Sequence, residues 1–460
     1  MLHPLLIALL ILVPTFAIAA EPIELGGRLE MLADGYLIDG MSDNIDFHIH
    51  QPEPAEMVFT ADAPWEGNTS GYYSLFQDGN AYRMIYRGWQ HDPSDIRKAV
   101  HPEVVCLAES DDGIHWRKPN LGLFEFEGST DNNIIWKGTG SHNFTAFKDS
   151  NPTCPANELY KALGSGKGGL YYFKSADGVH WEIANDAPVI TKGAFDSQNL
   201  AFWDPLEKQY RAYWRIFTGG VRAIRTATSQ DFVNWKPHTD LTYTEGTPKQ
   251  HLYTNAIQKY FRAPYLFIGF PTRFLPDEGQ RVEPIFMMSR DGVNFRRYNV
   301  PVIPESAPAD RQGNRSNYMT WGMLTLPDRP KEISVYATEA YYGSVPTRVR
   351  RFVYRLDGFV SLRAGAVGGE VVTKPLTFVG SKLVLNYATS TSGEVQVELQ
   401  NASGTPIQGY EFTESEVLDG DSVKATVTWN SGSDLSILVG QPIRVRLIVR
   451  NADVYSLRFE

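Results

Sequence analysis

The 460-residue sequence predicts an all-β protein made of five repeated four-stranded sheets followed by a separate C-terminal β unit. Three observations predict it: a recurring turn phrase, a hairpin before each copy of that phrase, and a change to strict two-residue alternation near the C-terminus. The phrase is Ser110-Asp111-Asp112-Gly113-Ile114-His115-Trp116, and it returns at Ser175 to Trp181, Ser229 to Trp235 and Ser289 to Phe295, with a worn fifth copy at Arg355 to Phe359. The copies are spaced by about 54 to 66 residues, the length of a small sheet. Asp followed by Gly supplies a side chain that bonds a backbone N–H two residues on and a residue that tolerates positive φ, so the chain reverses there. The aromatic that closes the phrase enters the outgoing strand and wedges between neighbouring sheets.

Before each phrase a hairpin is readable. The first unit runs Tyr72 to Phe76, turns at Asp78-Gly79-Asn80 and returns from Tyr82 to Tyr86; the second has Phe144 to Phe147 and Leu159 to Leu163. The third has Asn199 to Trp203 and Tyr210 to Trp214, the fourth turns near Lys259 to Phe261, and the fifth turns at Pro327-Asp328. No amphipathic helix period separates these units. Five repeated four-stranded antiparallel sheets specify a five-bladed β-propeller, because radial closure leaves few exposed edges. From about Val371 alternation takes over, as in Val395 to Leu399 and Ile443 to Leu447, and predicts a β-sandwich over residues 366–460, with the propeller at 21–365 and Arg363 to Ala366 as linker.

The apolar run from Leu5 to Ala19, closing on Ala17-Ile18-Ala19, reads as a signal peptide over residues 1–20, which predicts an exported, periplasmic or extracellular protein with no membrane span after cleavage. A formal net charge of −10 disfavours nucleic acid as a partner. Cys106 and Cys154 are too few for a disulfide framework or a structural zinc site, and no cofactor or metal is predicted. Asn68, Asn143 and Asn401 stand in glycosylation sequons. Phosphate loops, dinucleotide fingerprints, HExxH and GxSxG arrangements find no match.

On its Ser-x-Asp-Gly-x-x-Trp blades and terminal sandwich, nearly the whole mature chain resembles the five-bladed propeller glycoside hydrolases of families 32 and 43, in the arabinanase, levansucrase and invertase-like style. The resemblance implies a funnel with three acidic residues at the pocket ends of innermost strands. Residues just before first strands, and those ending second strands, then face substrate, while the turn residues Asp78, Asp149 and Asp204 lie at the opposite end. That rule selects Glu66, Asp196 and Glu339 as catalytic carboxylates for cleaving a furanoside or related glycosidic bond, one as proton donor and one as nucleophile or base. It departs from the family pattern in having Asp196 where a Glu in a short motif is usual, and Glu66 (or Asp62) where an Asp is usual. The same rule selects Arg87, Trp89, His142, Arg215, His251, Tyr253, Arg273, Arg315 and Tyr318 as substrate-binding. The arginines either grip a sugar carboxylate or sulfate, or balance acidic neighbours. The partner expected is an oligo- or polysaccharide, neutral or anionic; a noncatalytic glycan-binding propeller and a structural scaffold are the alternatives.

Overall fold

The structure is a computed structural model that describes residues 21–304 and 317–460; the leader at 1–20 and Arg315 lie outside the described residues. It is all-β, with a propeller-like arrangement of four sheets that carry the repeat. The first has Gly71–Asp78, Ala81–Gly88, Val104–Ser110 and Trp116–Arg117 side by side, with Ile134–Lys137 added. The second has His142–Lys148, Tyr160–Gly166, Gly169–Ser175 and Glu182–Ile183, and the third Leu200–Asp204, Gln209–Thr218, Val221–Ser229 and Thr239–Asp240. The fourth is built on Gln258–Tyr260, Ala263–Gly269, Arg281–Ser289 and Asn294–Pro301, with further short strands at its margin.

The turn phrase folds alike in all four. Asp112 Oδ1 accepts from the N–H groups of Ile114 and His115, each at 2.8 Å, and Asp177, Asp231 and Asp291 repeat the pair. Gly113, Gly178 and Gly292 adopt φ between 74° and 76°. In the third copy Phe232 holds that place at φ 63°, kept there by full burial among Phe147, Tyr172, Tyr210 and Trp235. The closing indoles also repeat: Trp116, Trp181 and Trp235 donate from Nε1 to the carbonyl of Gly113, Gly178 and Phe232. Trp181, Trp235 and Phe295 are buried and Trp116 is half-buried.

The fifth copy differs. The chain does turn here, with Gly358 N–H bonded to Arg355 O at 2.9 Å, but Asp357 is itself left-handed, at φ 61°, and its buried carboxylate accepts from Arg262 Nε (2.9 Å), Ser456 Oγ (3.2 Å) and the Tyr260 hydroxyl, so it joins the fourth sheet to C-terminal strands instead of capping the turn's own N–H groups. The fifth unit is a three-stranded sheet of Glu332–Glu339, Arg348–Arg355 and, from the N-terminal side of the chain, Glu53–Thr60. Residues 319–324 lie between it and the first sheet: Met319 bridges Ala337, Leu324 bridges Ser334, and Trp321 bridges Ser74. Trp321 Nε1 also donates to Ile257 O at 2.9 Å, and Gln198 Nε2 to Tyr73 O at 3.1 Å, which ties strands from separate sheets together near the axis.

The turns at the end of the sheets away from Tyr72 and His142 carry the inter-sheet ties. The Tyr160 hydroxyl donates to Asp78 at 2.8 Å, that of Tyr210 to Asp149 at 2.6 Å, and Lys259 lies 3.0 Å from Asp204. Apart from a short hairpin of His91–Asp92 with Asp95–Ala99, the remaining described strands form a ten-stranded sheet in which the long antiparallel strands Leu383–Asn401 and Ile443–Phe459 dominate. Val395, Val397, Leu399, Ile443, Val445, Leu447 and Val449 all point into its core, as the alternation predicts. Ile23–Gly26, Glu30–Met31, Ile38–Met41 and Ile45–Ile49 join this sheet, and the stretch read as a linker begins inside one of its strands, Val360–Ala364. Cys106 and Cys154 are both free.

Because Trp235 is buried against Phe232 and Trp116 is half-buried, Trp235→Ala is expected to cost about 3–5 kcal/mol and Trp116→Ala distinctly less. The denaturant midpoints of the two variants check this.

Candidate functional site at the mouth of the propeller

The end of the sheets opposite the Asp78 and Asp149 turns gathers polar and aromatic side chains from every unit. Arg87, at the end of the second strand of the first sheet, is fully buried and donates to Thr69 O (2.8 Å), the Tyr341 hydroxyl (2.7 Å) and Asn143 Oδ1 (2.9 Å). Its guanidinium lies 4.8 Å from the Tyr72 ring and 4.9 Å from that of Trp89, so neutral acceptors and two π faces compensate its burial. Asn143 passes the contact on to Ser197 O at 3.1 Å. Tyr72, Tyr253, Tyr318 and Tyr341 pack ring to ring, with Tyr318 5.6 Å from Tyr253 and 5.5 Å from Tyr341.

The backbone here is strained where side chains must turn inward. Tyr72 and Asn143, each just inside the start of an innermost strand, both have φ 54°, and Ala340 and Tyr342 have φ 60° and 55°. Each such residue costs roughly 1–3 kcal/mol and persists only when its surroundings fix it; here Arg87 does so, bonded to Asn143 and stacked on Tyr72.

Beside this cluster stands a row of three titratable groups. Glu103 Oε1 lies 2.8 Å from His142 Nδ1, and His142 Nε2 lies 3.2 Å from Asp196 Oδ1. Glu103 is mostly covered, with 14% of its side chain exposed, whereas that of Asp196 is 68% exposed. Burial pulls the His142 pKa down, but hydrogen bonds to Asp196 and Glu103, with the Glu103 charge, raise it above the ordinary 6.5. The hydrogen bond from His142 and the charge of Arg215, 3.7 Å away, lower Asp196 to about 2. A cleft of about 640 Å³ opens alongside, lined by Trp89, His101, Glu103, Ser141, His142 and Ser165. The arrangement sets a carboxylate ionised down to about pH 2 beside an imidazole whose protonated form its neighbours favour, at an accessible surface, with Asn143 Nδ2 also 3.2 Å from His142 Nε2; this suits proton transfer.

Of the carboxylates the sequence selects, only Asp196 is exposed at this place. Glu66 is sealed between the first sheet and Glu53–Thr60, 2.6 Å from Lys118 Nζ and accepting from Ala63 N–H and the Tyr86 hydroxyl. The cause is the turn that follows it, where Ser70 N–H bonds Gly67 O and any Cβ on Gly67 would sit 1.8 Å from Gln90 Oε1. Glu339 is buried against Arg350 (2.6 Å) and Arg348 (3.6 Å) of the adjacent strand. Among the predicted binding residues, Arg87, Trp89, His142, Arg215, His251, Tyr253 and Tyr318 are all at the mouth. Arg273 is not one of the group: it donates to Glu283 at 2.6 Å and to Asn299 O at 2.9 Å. Glu103 and Arg222 were not selected from sequence, although each sits at the start of a third strand, which begins at this same end. Asn68 and Asn143 are buried with their amides engaged, so neither sequon is open to a glycan in the folded chain.

No family model matches the sequence, and no curated protein is similar to it in sequence. Several of its structural neighbours are described as glycoside hydrolases, and another as an N-acetylgalactosamine deacetylase. One described simply as a glycoside hydrolase has a TM-score of 0.46 at 13% identity, covering 67% of this chain and 93% of that one. A family 43 arabinoxylan arabinofuranohydrolase from Bacillus subtilis has 0.44 at 10% identity, covering 87% and 97%. An endo-1,4-β-xylanase from Bacteroides thetaiotaomicron has 0.43 at 11%, covering 65% and 96%. Likeness at this level says nothing of chemistry, which rests on the side chains of the mouth. Among the described residues no helix is long and apolar enough to cross a membrane.

The His142 imidazole is expected to titrate above 6.5, and Glu103→Gln to bring that pKa down, because the variant removes a negative charge that favours the imidazolium. Histidine side-chain NMR titration of both proteins checks the sign.

Proposed function

We propose that the protein is a carbohydrate-active hydrolase whose glycosidic bond is cleaved at the propeller mouth by His142 and Asp196. The observation that supports this reading is the row Glu103–His142–Asp196, of which Glu103 and His142 line an open cleft with Trp89 on its wall. Glycoside cleavage needs a proton for the leaving oxygen and an ionised group to activate water or attack carbon. Here the donor is an imidazolium in place of a carboxylic acid. Glu103 orients the ring through Nδ1 and favours its protonated form; a sugar oxygen that displaces Asp196 from Nε2 takes up the proton. Asp196, ionised down to about pH 2, is then free to act as base or nucleophile. Trp89 offers a half-buried indole face for a sugar ring.

The same proposal includes an exported protein acting on a furanoside or related sugar, a ring closed by the three-stranded sheet as fifth blade, and a sandwich formed by strands from both ends of the described chain. A glycan-binding propeller without turnover is the second reading. It is favoured by the state of Glu66 and Glu339, both buried in ion pairs, so that neither stands exposed beside Asp196 as its expected partner.

A panel of plant and algal oligosaccharides, scored for both cleavage and binding, separates the two readings. For a cleaved substrate, Asp196→Asn and His142→Gln are each expected to lower kcat about 10²–10⁴-fold while the fold is kept. The rate should rise as Asp196 ionises, stay high through the acid range, and fall as pH passes the raised His142 pKa. Normal turnover by either variant rules out the assignment, and binding without products supports the second reading.

A further inference from the structure

Arg215 stands next to Asp196, and Arg222 shares the Tyr253 ring with Arg215; neither is paired to a buried carboxylate among the described residues. The Arg215 side chain is only 6% exposed; its Nε donates to Ala194 O at 3.0 Å, its Nη2 is 3.7 Å from Asp196, and its buried Nη1 has no hydrogen-bond partner. Arg222 lies on the adjoining strand. Its backbone N–H donates to His251 Nδ1 at 3.1 Å, its Nη1 lies 3.3 Å from the same nitrogen, and its buried Nε is unpartnered. Both guanidiniums sit 5.0 Å from the Tyr253 ring, and both flank Phe217, at 5.8 and 5.4 Å. Two like charges thus share two rings; among the described residues the only carboxylate within ion-pair distance of either is the exposed Asp196, 3.7 Å from Arg215, while Asp277 is near enough to His251 to act on its pKa. His251 adds no countercharge: burial and the Arg222 charge lower its pKa, and its Nδ1 serves as an acceptor.

Buried donors in a native structure are nearly always satisfied, and unpaired guanidinium N–H groups match the oxygens of a carboxylate or sulfate. We propose that Arg215 and Arg222 form a subsite for an oxyanion carried by the sugar, so that the substrate is an acidic glycan bearing uronate or sulfate groups. This rests on the mouth being the carbohydrate site. The anion enters between the two guanidiniums over Tyr253, which places its sugar ring within reach of Asp196. Arg273, committed to Glu283, contributes nothing to it.

The test uses calorimetric titration of the full protein with three matched oligosaccharides: a uronate-containing one, its carboxyl-reduced neutral counterpart, and a sulfated neutral one. At least one acidic ligand is expected to bind tenfold or more tighter than the neutral one, with the advantage shrinking at high salt. Arg222→Met should remove most of that advantage, and Arg222→Lys should keep part of it. Arg222 is half-buried, so its variants test the site even where Arg215→Met fails to fold. The uronate and sulfate arms tell the two sources of the oxyanion apart. Equal affinity for acidic and neutral ligands, or equal loss of both in Arg222→Met, overturns the subsite and leaves the carbohydrate mouth standing. If none of the three binds, both proposals fail, and tight acidic binding without cleavage overturns only the hydrolysis.

Discussion

The mouth depends on one buried cation. Arg87 is 1% exposed, and among the described residues its hydrogen bonds go to neutral oxygens on three separate segments: Thr69, Asn143 and Tyr341. A charge out of water is tolerated when most of its donors are met in good geometry; the two terminal nitrogens of Arg87 are met here, while its buried Nε has no partner among the described residues. Meeting them requires Tyr72 and Asn143 to keep left-handed backbone at the starts of two innermost strands. It also requires residues 339–342 to approach from the fifth unit, where Tyr341 packs on Tyr72 and Tyr318. Asn143 Nδ2 in turn lies 3.2 Å from Nε2 of its neighbour His142 and donates to Ser197 O, on the segment that presents Asp196.

Structure and chemistry are divided between the two ends of the sheets. At one end the turn carboxylates are engaged by lysines and tyrosines of their own or neighbouring sheets, ties that hold the ring together. At the other end strain, buried guanidiniums and an exposed carboxylate accumulate, and this is where a ligand can supply the interactions the protein leaves incomplete. Local conflict of that kind is expected of a functional site more than of a structural one.

The repeat was legible because its cause is contiguous. Ser, Asp and the residue in the left-handed position satisfy one another within seven residues, so Asp112, Asp177, Asp231 and Asp291 behave alike wherever they occur. Asp357 shows the limit: the same two letters, Asp-Gly, form an ion-paired junction once Arg262 and Tyr260 come from elsewhere in the chain. The N-terminal strand Glu53–Thr60 in the fifth sheet, and residues 23–49 in the C-terminal sheet, were out of reach for the same reason, because pairing between chain ends leaves no local signature. For the site, strand polarity placed His142, Arg215, Tyr253 and Asp196 at one end. It failed where a turn intervened, as at Glu66, or where a partner on a neighbouring strand captured the charge, as with Glu339 and Arg273. Glu103 and Arg222 obey the same polarity, at the starts of third strands, which run in the same direction as the first.

The most direct measurement is a crystal structure of Asp196→Asn with an oligosaccharide that the wild-type protein binds. The sugar is expected at the propeller mouth, with a ring against Trp89 and a glycosidic oxygen within hydrogen-bond reach of His142 Nε2. A sugar bound elsewhere, such as the cleft between Tyr36 and Arg296 or the C-terminal sheet, with the mouth empty, would contradict the assignment of this site.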